Sequence, residues 1–201
     1  MLKDKAYKLI DKFKGNNYSH GLNVLKNIGK LASEYGNNVL LVANQTHQKK
    51  ETGKILEYLR ESNIQLAGNR IVPGSSPNTP REDVYRVESY LLHYHPDCII
   101  AFGGGSNIDC VKAANVLATL GLHSPEIDDY FGTGLVSSAL KDSKKKLWPF
   151  IAIQTSSSSA AHLTKYANVT DPIAGQKKLI VDEAIIPQRP VFDYSVSTSM
   201  P

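Results

Sequence analysis

Hydrophobic positions along this chain follow two rhythms. Where they recur every three or four residues they predict a helix, and where they run unbroken between turn residues they predict a buried strand. Leu2, Ala6, Leu9, Ile10 and Phe13 fall on one face and predict a short amphipathic helix, broken by GNNYSHG. Leu22, Leu25, Ile28, Leu31 and Ala32 predict a second helix, with Gly36 as its stop. NVLLVAN, from Asn38 to Asn44, is apolar without alternation, as a strand covered on both faces of a parallel sheet would be. A helix from about Gln48 to Glu61, a short strand in RIVPG and a helix ending near His95 follow. DCIIAFGGG reads as a second buried strand, followed by a helix from Asn107 to about Leu120. WPFIAIQT predicts another strand, HLTKYANVTD an extended piece, and KKLIVDEAIIP and RPVFD the last strands.

Strands and helices alternate, which is the pattern of an α/β fold: a Rossmann-like open, mainly parallel sheet flanked by helices with right-handed crossovers. No internal repeat interrupts it. The region from about His123 to Leu147 carries no clear periodicity, so the longest irregular segment is expected there.

Composition narrows the picture a little. The chain has 201 residues, 41% hydrophobic and 21% charged, with a net charge of +4. Its basic residues are scattered, apart from Lys141 to Lys146, so nucleic acid is not an expected partner. No segment approaches a membrane span and the first residues lack the apolar core of a signal peptide. Cys98 and Cys110 have no metal-binding spacing and read as buried reduced thiols, which suits a cytoplasmic protein.

The strongest chemical signal is AFGGGSNIDCVKAANVLA. A buried strand ends, three glycines follow, and a helix begins. In open α/β sheets ligands bind at the carboxyl ends of strands. Gly103, Gly104 and Gly105 allow close backbone approach and positive φ, and a helix N-terminus offers unpaired N–H groups to a phosphate. Ser106 suits the N-cap and Asp109 completes a capping-box pattern. A tight turn without a ligand would also satisfy the residues alone, and the GxGxxG fingerprint is absent. PFIAIQTSSSSAAHLT places a serine run directly after a strand, where its hydroxyls can donate to phosphate or ribose oxygens.

GGGSNIDCVKA resembles the GGGSxxDxAKA motif of the iron-containing (group III) alcohol dehydrogenase family. EYGNNVLLV, PNTPREDV, PFIAIQTSSSSAAHLT and IIPQRPVFDYSVSTSMP are similar, in order, to that family's first nucleotide-binding strand, its PNPTxExV segment, its PTTAGTGSE loop and its LPxxAxxDPxLTxxxP ending. The resemblance implies an NAD(P)-binding domain over residues 1–201 and a helical, metal-binding domain that this chain lacks. It implies that Gly103, Gly104, Gly105, Ser106 and Asn107 cradle the pyrophosphate of NAD or NADP. Asn78 then lies near the cofactor, Thr155, Ser156 and Ser159 are the hydroxyl residues of the threonine loop, and Lys177 approaches the nicotinamide side. Many NAD-using members carry an aspartate where Asn44 stands; with His47, Lys49 and Lys50 behind it, NADP is expected to be tolerated.

The resemblance further implies a divalent metal, iron or zinc, held by an aspartate and three histidines that would begin after Pro201. The six histidines here make no cluster with that spacing. Hydride transfer between nicotinamide and a small alcohol or aldehyde is therefore expected of the full-length protein rather than of these 201 residues, and an apolar wall left uncovered favours a homo-oligomer. A fragment of a glycerol dehydrogenase-like or dehydroquinate synthase-like enzyme, or a non-catalytic dinucleotide-binding module, are the alternatives. The serine run departs from the family at Gln154, Ser158, Ala160, Ala161 and His162.

Overall fold

The computed structural model describes residues 2–44 and 49–197; His47 lies outside them. In chain order the elements are α1 (Leu2–Lys14), β1 (Ser19–Gly21), α2 (Ile28–Ser33), β2 (Asn38–Ala43), α3 (Lys49–Glu61), β3 (Gln65–Leu66), β4 (Val72–Pro73), α4 (Arg81–Tyr94), β5 (Cys98–Gly103) and α5 (Gly105–Leu120). Then come β6 (Gly132–Thr133), α6 (Leu135–Ser143), β7 (Phe150–Gln154), β8 (Tyr166–Asp171), β9 (Gln176–Val181), β10 (Arg189–Asp193) and α7 (Tyr194–Ser197).

The main sheet runs β1-β10-β7-β5-β2-β3, with β4 also paired to β2, and every pairing in it is parallel. Its central strands β2, β5 and β7 are buried on both faces, which is why they read as unbroken apolar runs. Side chains alternate between two cores. Ile99 and Ala101 of β5 join Val87 and Leu91 of α4 and Val111 of α5 on one face. Ile100 and Phe102 join Ile28 of α2 and Ile55 and Leu59 of α3 on the other.

Three expectations change. The supposedly irregular stretch from His123 to Leu147 contains β6 and α6, whose buried Val136 and Ala139 give too short an apolar signal to read. Second, β6, β9 and β8 form a separate three-stranded sheet in which β8 and β9 are antiparallel. It covers α5 from outside, with Ala167, Val169 and Ile180 in the same core as α5. That cover explains why α5 is buried all round from Asn107 to Leu120 and shows no amphipathic period. Third, the two-residue β3 is too short to leave any period in the sequence. The predicted first helix forms, but its apolar face is open, with Leu9 60% and Phe13 62% exposed.

Candidate functional site: a glycine loop facing a serine loop

The carboxyl ends of β2, β5 and β7 lie side by side, so the loops that leave them share one edge of the sheet. Helix α5 starts at Gly105, with Gly104 in the N-cap position (φ −78°, ψ −177°). Ser106 is therefore inside the first turn and not the N-cap. Its hydroxyl accepts from the Asn78 N–H at 3.1 Å, and its carbonyl accepts from Thr79 Oγ1 at 3.0 Å. Asp109 forms no capping box either; it accepts from the main-chain N–H and side-chain amide of Asn168 at 3.2 and 3.3 Å.

None of Gly103, Gly104 and Gly105 has positive φ among the described residues. Their use is space. A Cβ on Gly103 would stand 3.0 Å from the side chain of Asn107, and one on Gly105 would stand 3.1 Å from Ser159 Cβ and press on its hydroxyl. A Cβ on Gly104 would meet only Ser156 Oγ at 3.8 Å, so it would project into the open edge. In the first turn of α5 the Asn107 N–H donates to the Gly104 carbonyl at 3.1 Å, while the N–H groups of Gly105 and Ser106 have no acceptor within the helix.

Asn107 is fully engaged beneath the loop. Its Oδ1 accepts from the Ser75 N–H at 3.0 Å, and its Nδ2 donates to the carbonyls of Val42 and Phe102 at 3.2 and 3.1 Å. It thus ties the ends of β2 and β5 together. Thr155 is also buried, its N–H donating to the Gly103 carbonyl at 3.1 Å. Ser156 and Ser158 share a hydroxyl bond at 3.0 Å, and Ser159 Oγ accepts from the Ala161 N–H at 3.3 Å. Ala160 sits at φ 50°, a left-handed position that a glycine would take without strain.

Asn78, also left-handed at φ 67°, is the junction on the far side. Its carbonyl accepts from Thr170 Oγ1 at 2.6 Å, and its Oδ1 accepts from Lys177 Nζ at 3.0 Å. So Asn78, Ser106 and Lys177 are brought together across three elements. Asn44 follows β2 and is exposed.

Beside the serine loop lies a cleft of about 310 Å³, lined by residues that include Asp109, Ser159, Tyr166 and Asn168. Lys112 braces two of the residues that line it, Thr164 and Tyr166. Its ammonium donates to the carbonyls of Thr164 and Tyr166 at 2.7 and 2.8 Å and stands 4.0 Å from Asp109. Burial lowers the Lys112 pKa to about 8, with Asp109 offsetting only part of the loss. Burial likewise pushes the Asp109 carboxyl above its usual range, despite Lys112 and Asn168.

Two groups that sequence reasoning had not placed complete the edge. Asp193, at the end of β10, accepts from the N–H groups of Asn23, Leu25 and Ser195 and from Ser195 Oγ. Burial opposes its charge, but these donors outweigh it and hold the carboxyl below its usual range. His162 is 3% exposed and bonded to Gln154 and Tyr18. The only signal for the latter was negative: both Gln154 and His162 stood out as departures from a motif.

Among the described residues no three His, Cys, Asp or Glu side chains come together as they would to hold a metal ion. No described helix is long and apolar enough to cross a membrane.

A parallel α/β sheet with a glycine-lined helix N-terminus at its carboxyl edge is the architecture of a nucleotide-binding domain. The model of the iron-containing alcohol dehydrogenases matches residues 15–194, and the chain belongs to that family. It is 29% identical over 148 residues to the NADPH-dependent butanol dehydrogenase of Clostridium saccharobutylicum, covering 74% of this chain and 36% of that protein. It is 24% identical over 183 residues to the NAD-dependent methanol dehydrogenase of Bacillus methanolicus, covering 90% of this chain and 45% of that protein. A crystal structure of 1,3-propanediol oxidoreductase superposes with a TM-score of 0.81 and 26% identity, over 92% of this chain and 46% of the other. The chain thus spans less than half the length of these relatives.

Proposed function

We propose that this chain binds NAD or NADP as the cofactor-binding part of an NAD(P)-linked alcohol dehydrogenase or aldehyde reductase. The observation that carries the reading is the open face of Gly104. It lies at the N-terminus of a sixteen-residue helix, with serine hydroxyls opposite, where a pyrophosphate can approach the backbone.

In this reading the N–H groups of Gly105 and Ser106 and the hydroxyls of Ser156 and Ser159 hold the pyrophosphate. Gly103, Asn107 and Thr155 act from beneath by fixing the strand ends. Asn78 and Lys177 close the far side, and Asn44 meets a ribose. A bound nicotinamide supplies or accepts the hydride exchanged with a small alcohol or aldehyde. The chain's own residues orient that ring and exclude water from the cleft beside Ser159. The described donors do not fit a divalent metal such as iron or zinc, so no step is assigned to one, and we expect this chain to bind dinucleotide without turning over alcohols.

The test is titration of NADPH and NADH by nicotinamide fluorescence. Saturable binding is expected, and none at millimolar cofactor would overturn the reading. Asn44 is neutral and Lys49 and Lys50 follow, so the 2′-phosphate meets no repulsion. NADPH should therefore bind at least as tightly as NADH, and a tenfold preference for NADH would refute that choice.

A further inference from the structure

The serine loop is tied to the far edge of the sheet by an unbroken line of hydrogen bonds. Tyr18 OH lies 3.1 Å from His162 Nε2, and His162 Nδ1 lies 3.3 Å from Gln154 Oε1. Gln154 Nε2 lies 2.9 Å from the Ser156 carbonyl and 3.4 Å from Ser156 Oγ, which bonds Ser158 Oγ at 3.0 Å. Gln154 and His162 are 1% and 3% exposed, so the bond between them is shut off from water, while the Tyr18 and Ser156 ends of the line are part-buried and the Ser156–Ser158 bond is exposed.

The direction of the line follows from what each group can do. The Ser156 carbonyl only accepts, so the amide NH₂ of Gln154 must face it and Oε1 must face His162. Oε1 only accepts, so His162 Nδ1 carries the proton. Burial, with Lys112 as a second cause, holds the His162 pKa down at about 4, so the ring is neutral and Nε2 is bare. The Tyr18 hydroxyl must then donate to Nε2. Burial raises its pKa to about 12, which keeps that proton on the oxygen. Two tilted aromatic contacts border the imidazole, with Tyr18 5.5 Å away and Phe192 5.7 Å away between ring centres.

We propose that Tyr18 and His162 are positioning residues that act through Gln154 to hold the Ser156–Ser159 loop at the distance from Gly104 and Gly105 that a dinucleotide needs. This rests on the reading of that loop as a wall of the cofactor site. The loop's own backbone bonds, Ser158 N–H to the Ser156 carbonyl at 2.9 Å and Leu163 N–H to the Ala160 carbonyl at 2.8 Å, are local, and the bond from buried Gln154 is what ties Ser156 to His162 and Tyr18. The consequence is linkage: docking of the segment before β1, which carries Tyr18, and closure of the cofactor loop favour each other.

The test uses the whole chain and two readouts. Long-range proton–nitrogen spectra of histidine-labelled protein should show His162 protonated at Nδ1 and bare at Nε2. Tyr18→Phe keeps the tilted ring contact and removes only the donor. It should shift the Nε2 resonance and the amide signals of Ser156 and Ser158, and weaken NADPH binding about fivefold, the worth of one hydrogen bond. Gln154→Glu, whose carboxylate cannot donate to the Ser156 carbonyl, should weaken it further. An Nε2-protonated or doubly protonated His162, or NADPH binding by folded Tyr18→Phe within twofold of the parent, overturns the proposal. If the unaltered chain binds no NADPH, the cofactor reading fails and takes this inference with it; binding that is indifferent to Tyr18 sinks this inference alone.

Discussion

Gly105 lies against Ser159 so closely that no side chain fits between them, while its neighbour Gly104 faces open space. Two adjacent glycines thus serve different ends, one packing and one approach.

That contrast makes a paired prediction. Gly104→Ala should leave stability within about 0.5 kcal/mol of the parent, yet reduce NADPH affinity at least tenfold, because the new methyl would stand in the open space proposed for the phosphate. Gly105→Ala should lower both, since Ser159 has to move. Urea unfolding and fluorescence titration of the two variants separate the effects.

Asp193 is a structural anchor. Its carboxylate caps the turn that begins after β1 and the start of α7 at once. Asp193→Ala should cost about 3 kcal/mol, because the buried N–H of Leu25 and the part-buried ones of Asn23 and Ser195 lose a charged acceptor. Asp193→Asn, which retains one acceptor oxygen, should cost less. A urea midpoint unchanged in the alanine variant would contradict this assignment.

Lys112 bridges α5 to the segment before β8 by two bonds to carbonyls. Lys112→Met fills the space but strands both carbonyls and leaves Asp109 without its cation. A loss of about 3 kcal/mol is expected, with accelerated amide exchange in β8. Protection unchanged in β8 would argue against the bridge.

His162 makes stability depend on pH in a definite direction. Its pKa is held at about 4 in the fold against 6.5 unfolded. Between those values the unfolded chain binds the extra proton, so the contribution is complete above pH 6.5 and is lost as pH falls toward 4. It amounts to about 3 kcal/mol over the window. His162→Phe should flatten that part of the stability profile, measured by denaturant unfolding at successive pH values.

Cys98 and Cys110 are buried, and burial raises both thiols to about 12. Native protein should not react with a disulfide reagent at pH 8, whereas unfolded protein should release two equivalents. Rapid labelling of the native chain would show that the β5–α5 core opens.

The elements whose burial is set locally were legible in the residues themselves. NVLLVA and CIIAFG could be little else than central parallel strands, because both faces of each are apolar. The glycine loop stood out in the residues too, but only the fold divides its roles: Gly103 and Gly105 leave room for Asn107 and Ser159, and Gly104 faces open space. Asn78 and Lys177 were read only as matches to a motif, and the bond between them depends on how β9 folds back.

The sequence by itself therefore determined the α/β class, the order of the main elements and the place where an anion could sit. It did so because hydrophobic period and glycine chemistry act over a few residues. Tertiary structure alone decided the second sheet over α5, the inward turn of Asn107, the anchoring by Asp193 and the hydrogen-bond line from Tyr18 to the serine loop. Each of these needs partners far apart in the chain, and a polar side chain reveals its role only when burial removes water and leaves it one set of partners.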